Sequence, residues 1–214
     1  MNPGSISENA CELVFDFTRC VKADGSFYGT SGKCRKGTEV NAKEKPYKVG
    51  VTWGKYNIPT PGHARVVKNL LKKSQVVNVI MSGAKTNVDW NLRNLMFRRV
   101  LKQQGVDVSR VKFAHASNTF EALSKIIENQ GSKNVLLALG EDRKNYLDGL
   151  TKKLGIGGQL IPRAAGSESS TMMRGLIDSK DFKKLGEIYG NDPYLVKLAR
   201  IIRNEETKRD GKPT

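Results

Sequence analysis

An α/β fold built on a five-stranded parallel sheet is what this chain predicts, and three observations carry that expectation. From Pro46 onward, short apolar runs alternate with longer amphipathic stretches. The apolar runs are dense in Val, Ile and Leu, as strands buried on both faces require. The stretches between them have the length of helices, which is how parallel neighbours are joined, with helices on both faces of the sheet.

The elements follow in order. YKVGVTW, residues 47–53, reads as the first strand and leads to a helix over His63–Lys73. VVNVIMS (76–82) is the second strand, followed by a helix over Val88–Gln104. VKFAHAS (111–117) is the third, followed by a helix from Thr119 to Asn129. NVLLALG (134–140) is the fourth, with a helix over Lys144–Leu154, and GQLIPRA (158–164) is the fifth. Helices near Ser170–Ile177, Phe182–Tyr189 and Pro193–Glu206 close a domain spanning 46–206, and 207–214 reads as a tail. Residues 1–45 are rich in Gly, Ser and Thr and read as a small irregular appendage. Within it a short helix over Glu8–Arg19 and a hairpin around Ser26–Thr30 are expected.

Bulk properties narrow the class. A length of 214 residues suits one well-cored domain with an appendage. No apolar run reaches the roughly 18 residues of a membrane span, and the N-terminus has no basic segment followed by an apolar core. The expectation is a cytoplasmic protein without membrane contact. Cys11, Cys20 and Cys34 match no CxxC pair and read as free thiols, with a Cys20–Cys34 bridge or a metal site as the alternatives. The net charge of +16 is uneven: residues 1–47 hold seven Lys/Arg against six Asp/Glu, leaving +15 on the rest. Such an excess attracts polyanions, whether nucleotide, nucleic acid or anionic membrane.

In a parallel α/β sheet, ligands bind beyond the carboxyl ends of the strands. Three of those ends are unusual. GKYNIPTPGH, Gly54 to His63, joins the first strand to its helix. Gly54 and Gly62 allow close approach of the backbone, and Pro59 and Pro61 stiffen the path. Thr60 and His63 stand at a helix start, where amides and dipole favour phosphate. SESSTMMRG, Ser167 to Gly175, follows the fifth strand and sets hydroxyls and Arg174 at another helix start. LGEDR, Leu139 to Arg143, ends the fourth strand with Gly140 and Asp142.

On these residues the chain resembles the nucleotidyltransferase superfamily. GKYNIPTPGH is similar to its (H/T)xGH signature, with Tyr56 where the family commonly has Phe. SESSTMMRG is similar to its ISSTxxR motif, with Ser169, Ser170, Thr171 and Arg174 in register and Glu168 in place of isoleucine. LGEDR resembles its GxD segment. The resemblance implies a Rossmann-like domain that transfers a nucleoside monophosphate from ATP or CTP to a phosphorylated acceptor, releasing pyrophosphate. It implies catalytic roles for Thr60, His63 and Arg174. Nucleotide-binding roles fall on Gly54, Tyr56, Gly62, Gly140, Asp142, Ser169, Ser170 and Thr171. Magnesium is the cofactor such chemistry requires, and self-association is common among the relatives. LGEDRKNYLDGL and SSTMMRGLIDSKDFKKL further resemble nucleotidyltransferases of tailed bacteriophages, and CVKADGSFYGTSGKCRKGTE resembles a module on cyanophage proteins.

Other residues read as secondary. Lys55, Lys85 and His115 are candidates to line the site, each weighed against an ordinary surface or structural role. Trp90 and Phe97 read as core. Arg93, Arg98, Arg99 and Lys102, on one helix, read as a solvated face. The competing function is a non-catalytic nucleotide- or nucleic-acid-binding protein, or a virion component acting through its N-terminal segment.

Overall fold

The computed structural model describes residues 20–21, 27–29, 45–84, 86–162 and 168–209. The chain divides into two units, Met1–Glu44 and Lys45–Thr214. In the first, β1 (Cys20–Val21) pairs antiparallel with β2 (Phe27–Gly29). The expected hairpin segment around Ser26–Thr30 thus supplies the second strand of an antiparallel pair. Expectations for Glu8–Arg19, the cysteine thiols, Lys85 and Ser167 lie outside the described residues.

The second unit is a parallel sheet of β3 (Tyr47–Gly54), β4 (Ser74–Ser82), β5 (Val111–Ala116), β6 (Val135–Gly140) and β7 (Gly157–Ile161). Its spatial order is β5-β4-β3-β6-β7, and every pairing is parallel. The chain winds outward from β3 to β5, then returns to lay β6 on the other side of β3. The switch point thus falls between β3 and β6, where a doubly wound sheet opens a crevice at its carboxyl edge.

Period-two alternation sends neighbouring strand residues to opposite faces. Val77, Val79, Met81, Leu136 and Ala138 join one core. Against it lie α1 (Pro61–Lys73), α2 (Trp90–Gln103), α5 (Ser170–Asp178), α6 (Phe182–Ile188) and α7 (Pro193–Arg209). Val49, Val51, Trp53, Leu137 and Leu139 join the other core, under α3 (Thr119–Gln130) and α4 (Lys144–Leu154). Helices on both faces match the sequence expectation. No helix among the described residues is long and apolar enough to cross a membrane.

Two expectations need correction. The last helix runs on to Arg209, so residues 207–209, read as tail, are helical. Arg93 is not on a solvated face: it is 1% exposed and belongs to the core side of α2. Its Nη1 donates to the carbonyls of Lys55 at 2.8 Å and Ser82 at 2.9 Å, tying the loop after β3 to the end of β4. Arg98 and Arg99 are exposed but engaged, Arg98 over the Phe113 ring and Arg99 in an ion pair with Asp192.

Candidate active site

A cavity of about 480 Å³ opens at the carboxyl ends of β3 and β6, a volume suited to a small ligand. Its wall is made by the β3–α1 loop, the first turn of α1, the segment after β6 and the start of α5. All eleven residues expected to bind or act on substrate line this one cavity. The charged side chains on it are Lys55, Arg65, Arg143 and Arg174 against Asp142 and Glu168, an excess of two positive charges. Such a surface favours an anion.

The first segment is shaped by the start of α1. Pro61 takes the first helical position, where its missing N–H costs nothing. Thr60 is the N-cap, and its backbone N–H donates to Nδ1 of His63 at 3.0 Å. This is the reciprocal half of a capping box, with histidine in the role that Glu or Gln usually takes. Because Nδ1 accepts, a neutral imidazole carries its proton on Nε2. Thr60 itself is 1% exposed, and its Oγ1 lies 3.3 Å from His63 Nδ1. The threonine thus braces the histidine from inside the fold.

Tyr56 lines the cavity and is largely buried. Its φ of +47° turns the ring inward, where it packs edge-on to His63 at 5.0 Å and against Phe97 at 5.0 Å. Its hydroxyl lies 3.0 Å from Thr52 Oγ1. Burial pushes the phenol up to about 12, against a smaller opposing pull from the Thr52 hydrogen bond and the Arg143 charge. The ring thus buttresses His63 while lining the cavity with 9% of its surface exposed. A Cβ at Gly54 would stand 3.1 Å from that ring, so glycine makes room for Tyr56. Gly62 differs, since a Cβ there would meet only Thr60 Oγ1 at 3.4 Å and the Glu168 carbonyl at 3.6 Å. Protein packing does not demand glycine at that position, and its effect is to leave the cavity rim open.

In the second segment the hydroxyls divide their tasks. Ser169 caps α5, accepting from Met172 N at 3.0 Å. Ser170 donates to the Ile58 carbonyl at 3.1 Å, so it joins the second motif to the loop of the first. Thr171 is exposed on the cavity. Arg174 lines the cavity but is held by a partner that sequence reading missed. Its Nε and Nη2 each donate at 2.8 Å to the carboxylate of Glu206 on α7. At the end of β6, a Cβ on Gly140 would come within 2.7 Å of Asp142 Oδ1, so glycine lets that carboxylate fold over the strand end.

Of the secondary candidates, Lys55 lines the cavity and is exposed. His115 does not line it: it is exposed on the edge strand β5 and stacks on Trp90 at 5.5 Å. Trp90 is half-buried in that stack, and Phe97 is fully buried. Among the described residues, no three His, Cys, Asp or Glu side chains are placed to hold a metal ion. The carboxylates that line the cavity are those of Asp142 and Glu168.

No protein-family model matches the sequence, and no curated protein matches it closely. Solved structures do match the fold. A protein provisionally described as a nicotinate-nucleotide adenylyltransferase from Vibrio parahaemolyticus aligns over 72% of this chain and 96% of its own, with a TM-score of 0.51 and 18% identity. A bifunctional NMN adenylyltransferase/ADP-ribose pyrophosphatase from Francisella tularensis aligns over 77% of this chain, with a TM-score of 0.57 and 14% identity. The match spans about half, 54%, of the Francisella protein. That protein has also been solved with AMP and a manganese ion, where the TM-score is 0.53. The chain thus has the Rossmann-like α/β fold on which these adenylyltransferases are built.

Proposed function

We propose that this protein is a nucleotidyltransferase that moves a nucleoside monophosphate from ATP or CTP to a phosphorylated acceptor. The observation that carries the reading is the meeting of His63 and Arg174, from two remote segments, on one cation-rich cavity at the switch point of the sheet. Adenylyl transfer is the first form to test, because the solved structures that share the fold are named adenylyltransferases.

In the reaction, an acceptor phosphate oxygen attacks the α-phosphorus in line. The bond from that phosphorus to the bridging oxygen breaks, and pyrophosphate leaves. The protein's task is positioning and charge stabilisation. His63 donates from Nε2 to the triphosphate as negative charge grows, held in place by Thr60 and Tyr56. Arg174 and the amides at the start of α5 hold the departing pyrophosphate. Gly62 gives the nucleotide close access to the backbone, and Gly140 makes room for Asp142 at the end of β6. Asp142 and Glu168 would hold magnesium together with the substrate phosphates, and the ion would neutralise phosphate charge.

Calorimetric titration of the full chain with ATP and CTP tests the reading at its first step. One triphosphate should bind, and Arg174→Ala should weaken it by about tenfold or more, the scale of a lost charge-assisted pair. Absence of binding for both would refute it.

A further inference from the structure

Glu206 stands near the end of α7 with 10% of its side chain exposed, and it is not among the residues lining the cavity. Two residues that do line the cavity share its carboxylate. Arg174 donates to both oxygens at 2.8 Å, and Asn57 Nδ2 donates to Oε1 at 2.8 Å. Asn57 belongs to the loop from β3 into α1, and Arg174 belongs to α5, so one carboxylate joins the two phosphate-facing segments. The arrangement is fixed from outside as well. Thr86 donates to Asn57 Oδ1 at 3.1 Å, and Arg203 donates to Glu206 Oε2 at 3.4 Å while pairing with Asp178.

We propose that Glu206 is a positioning residue for the phosphate site: it turns Nε and Nη2 of Arg174 toward the protein, leaves Nη1 for the ligand, and locks the Asn57 loop to α5. The proposal rests on reading the cavity as a phosphate site, and it does not depend on turnover.

Electrostatic sign separates this role from that of a plain ion pair. A carboxylate beside a phosphate site repels the ligand, so on Coulomb grounds alone its removal tightens binding. A positioning carboxylate does the opposite, because a released arginine regains rotamer freedom that the ligand must then remove. Stability alone is a poor reason for such a pair, since well-packed apolar residues often replace a buried ion pair without loss.

The test is calorimetric titration of inorganic tripolyphosphate into the full chain, comparing wild type with Glu206→Ala, Arg174→Ala and the double variant. Glu206→Ala should weaken binding by about tenfold, as one charge-assisted contact is worth, although it adds positive charge. The double variant should bind no more weakly than Arg174→Ala alone, because Glu206 acts through Arg174. Should the alanine variant fail to unfold cooperatively, Glu206→Gln takes its place and should bind between wild type and Arg174→Ala. Unchanged or tighter binding in a folded variant overturns the proposal, as do additive losses in the double variant. A wild type that does not bind tripolyphosphate overturns it as well. Binding with the stated losses, in a protein that releases no pyrophosphate from any nucleoside triphosphate, upholds the positioning role and removes the transferase reading alone.

Discussion

The backbone N–H of Thr60 donates to Nδ1 of His63 at 3.0 Å, and that bond places the imidazole proton on Nε2. His63 therefore has two separable tasks, one in capping α1 and one toward the ligand. His63→Ala removes both, and should lower turnover by about a hundredfold while costing ~1 kcal/mol of stability. Gln, a favoured residue at this capping position, should restore most of the stability in His63→Gln but leave turnover at least about tenfold down. Thermal unfolding and kcat measured on both variants check this. Full activity in the Gln variant would reduce His63 to a cap.

Gly62 should separate stability from binding. It lies in the first turn of α1, and a Cβ there meets ordinary contacts from the protein. Gly62→Ala should therefore hold or raise stability, by up to ~1 kcal/mol from helix propensity. Triphosphate affinity should fall by about tenfold, because the new methyl stands on the cavity rim. Denaturation and calorimetry on the same preparation decide the matter.

Arg93 is the residue whose loss should damage the fold most among the basic groups of α2. Arg93→Ala leaves the carbonyls of Lys55 and Ser82 without that donor and empties a filled site, a loss of about 2–4 kcal/mol. Arg98→Ala, on an exposed ring contact, should cost under ~1 kcal/mol. Urea unfolding curves of the two variants check the contrast.

Stability should fall at both ends of the pH scale. Burial raises the Glu206 carboxyl, but hydrogen bonds from Arg174 and Asn57 and the Arg174 and Arg203 charges outweigh it, leaving it below its ordinary value of 4.5. Asp178 is likewise lowered, chiefly by its hydrogen bond from Arg203. Groups lowered in the folded state bind protons more readily when unfolded, so their stabilisation is present above the ordinary value and lost as pH falls through the folded one. At the alkaline end, Tyr56 is raised from 10.0 to about 12, and burial raises Tyr189 as well. The Tyr56 contribution is full below pH 10.0 and is lost as pH rises through about 12. Melting temperatures should therefore drop between about pH 10 and 12, less steeply in Tyr56→Phe.

The sheet was legible because its strands are continuous apolar runs and its helices are amphipathic, signals that local sequence carries whole. The two motif segments were legible for a related reason: Gly, Pro, Ser and Thr at strand-to-helix junctions report backbone shape directly. Glu206 was not, because its meaning comes from Asn57 and Arg174, which only the folded chain brings to it. Arg93 was misread by residue type, although position held the correction. It lies four residues before Phe97 and seven before Val100, on the buried face of α2. Tyr56 was assigned to the ligand by its place in the motif and does line the cavity, but the edge-on packing of its ring against His63 goes with a positive φ that is invisible in sequence.

The central claim is tested most directly by pyrophosphate release from the purified full chain with magnesium, supplying four ribonucleoside triphosphates against a panel of phosphorylated acceptors. Release that requires one triphosphate and one acceptor, and falls about a hundredfold in His63→Ala, is the predicted result. Absence of release across the panel, or equal release by a folded His63→Ala variant, would contradict it.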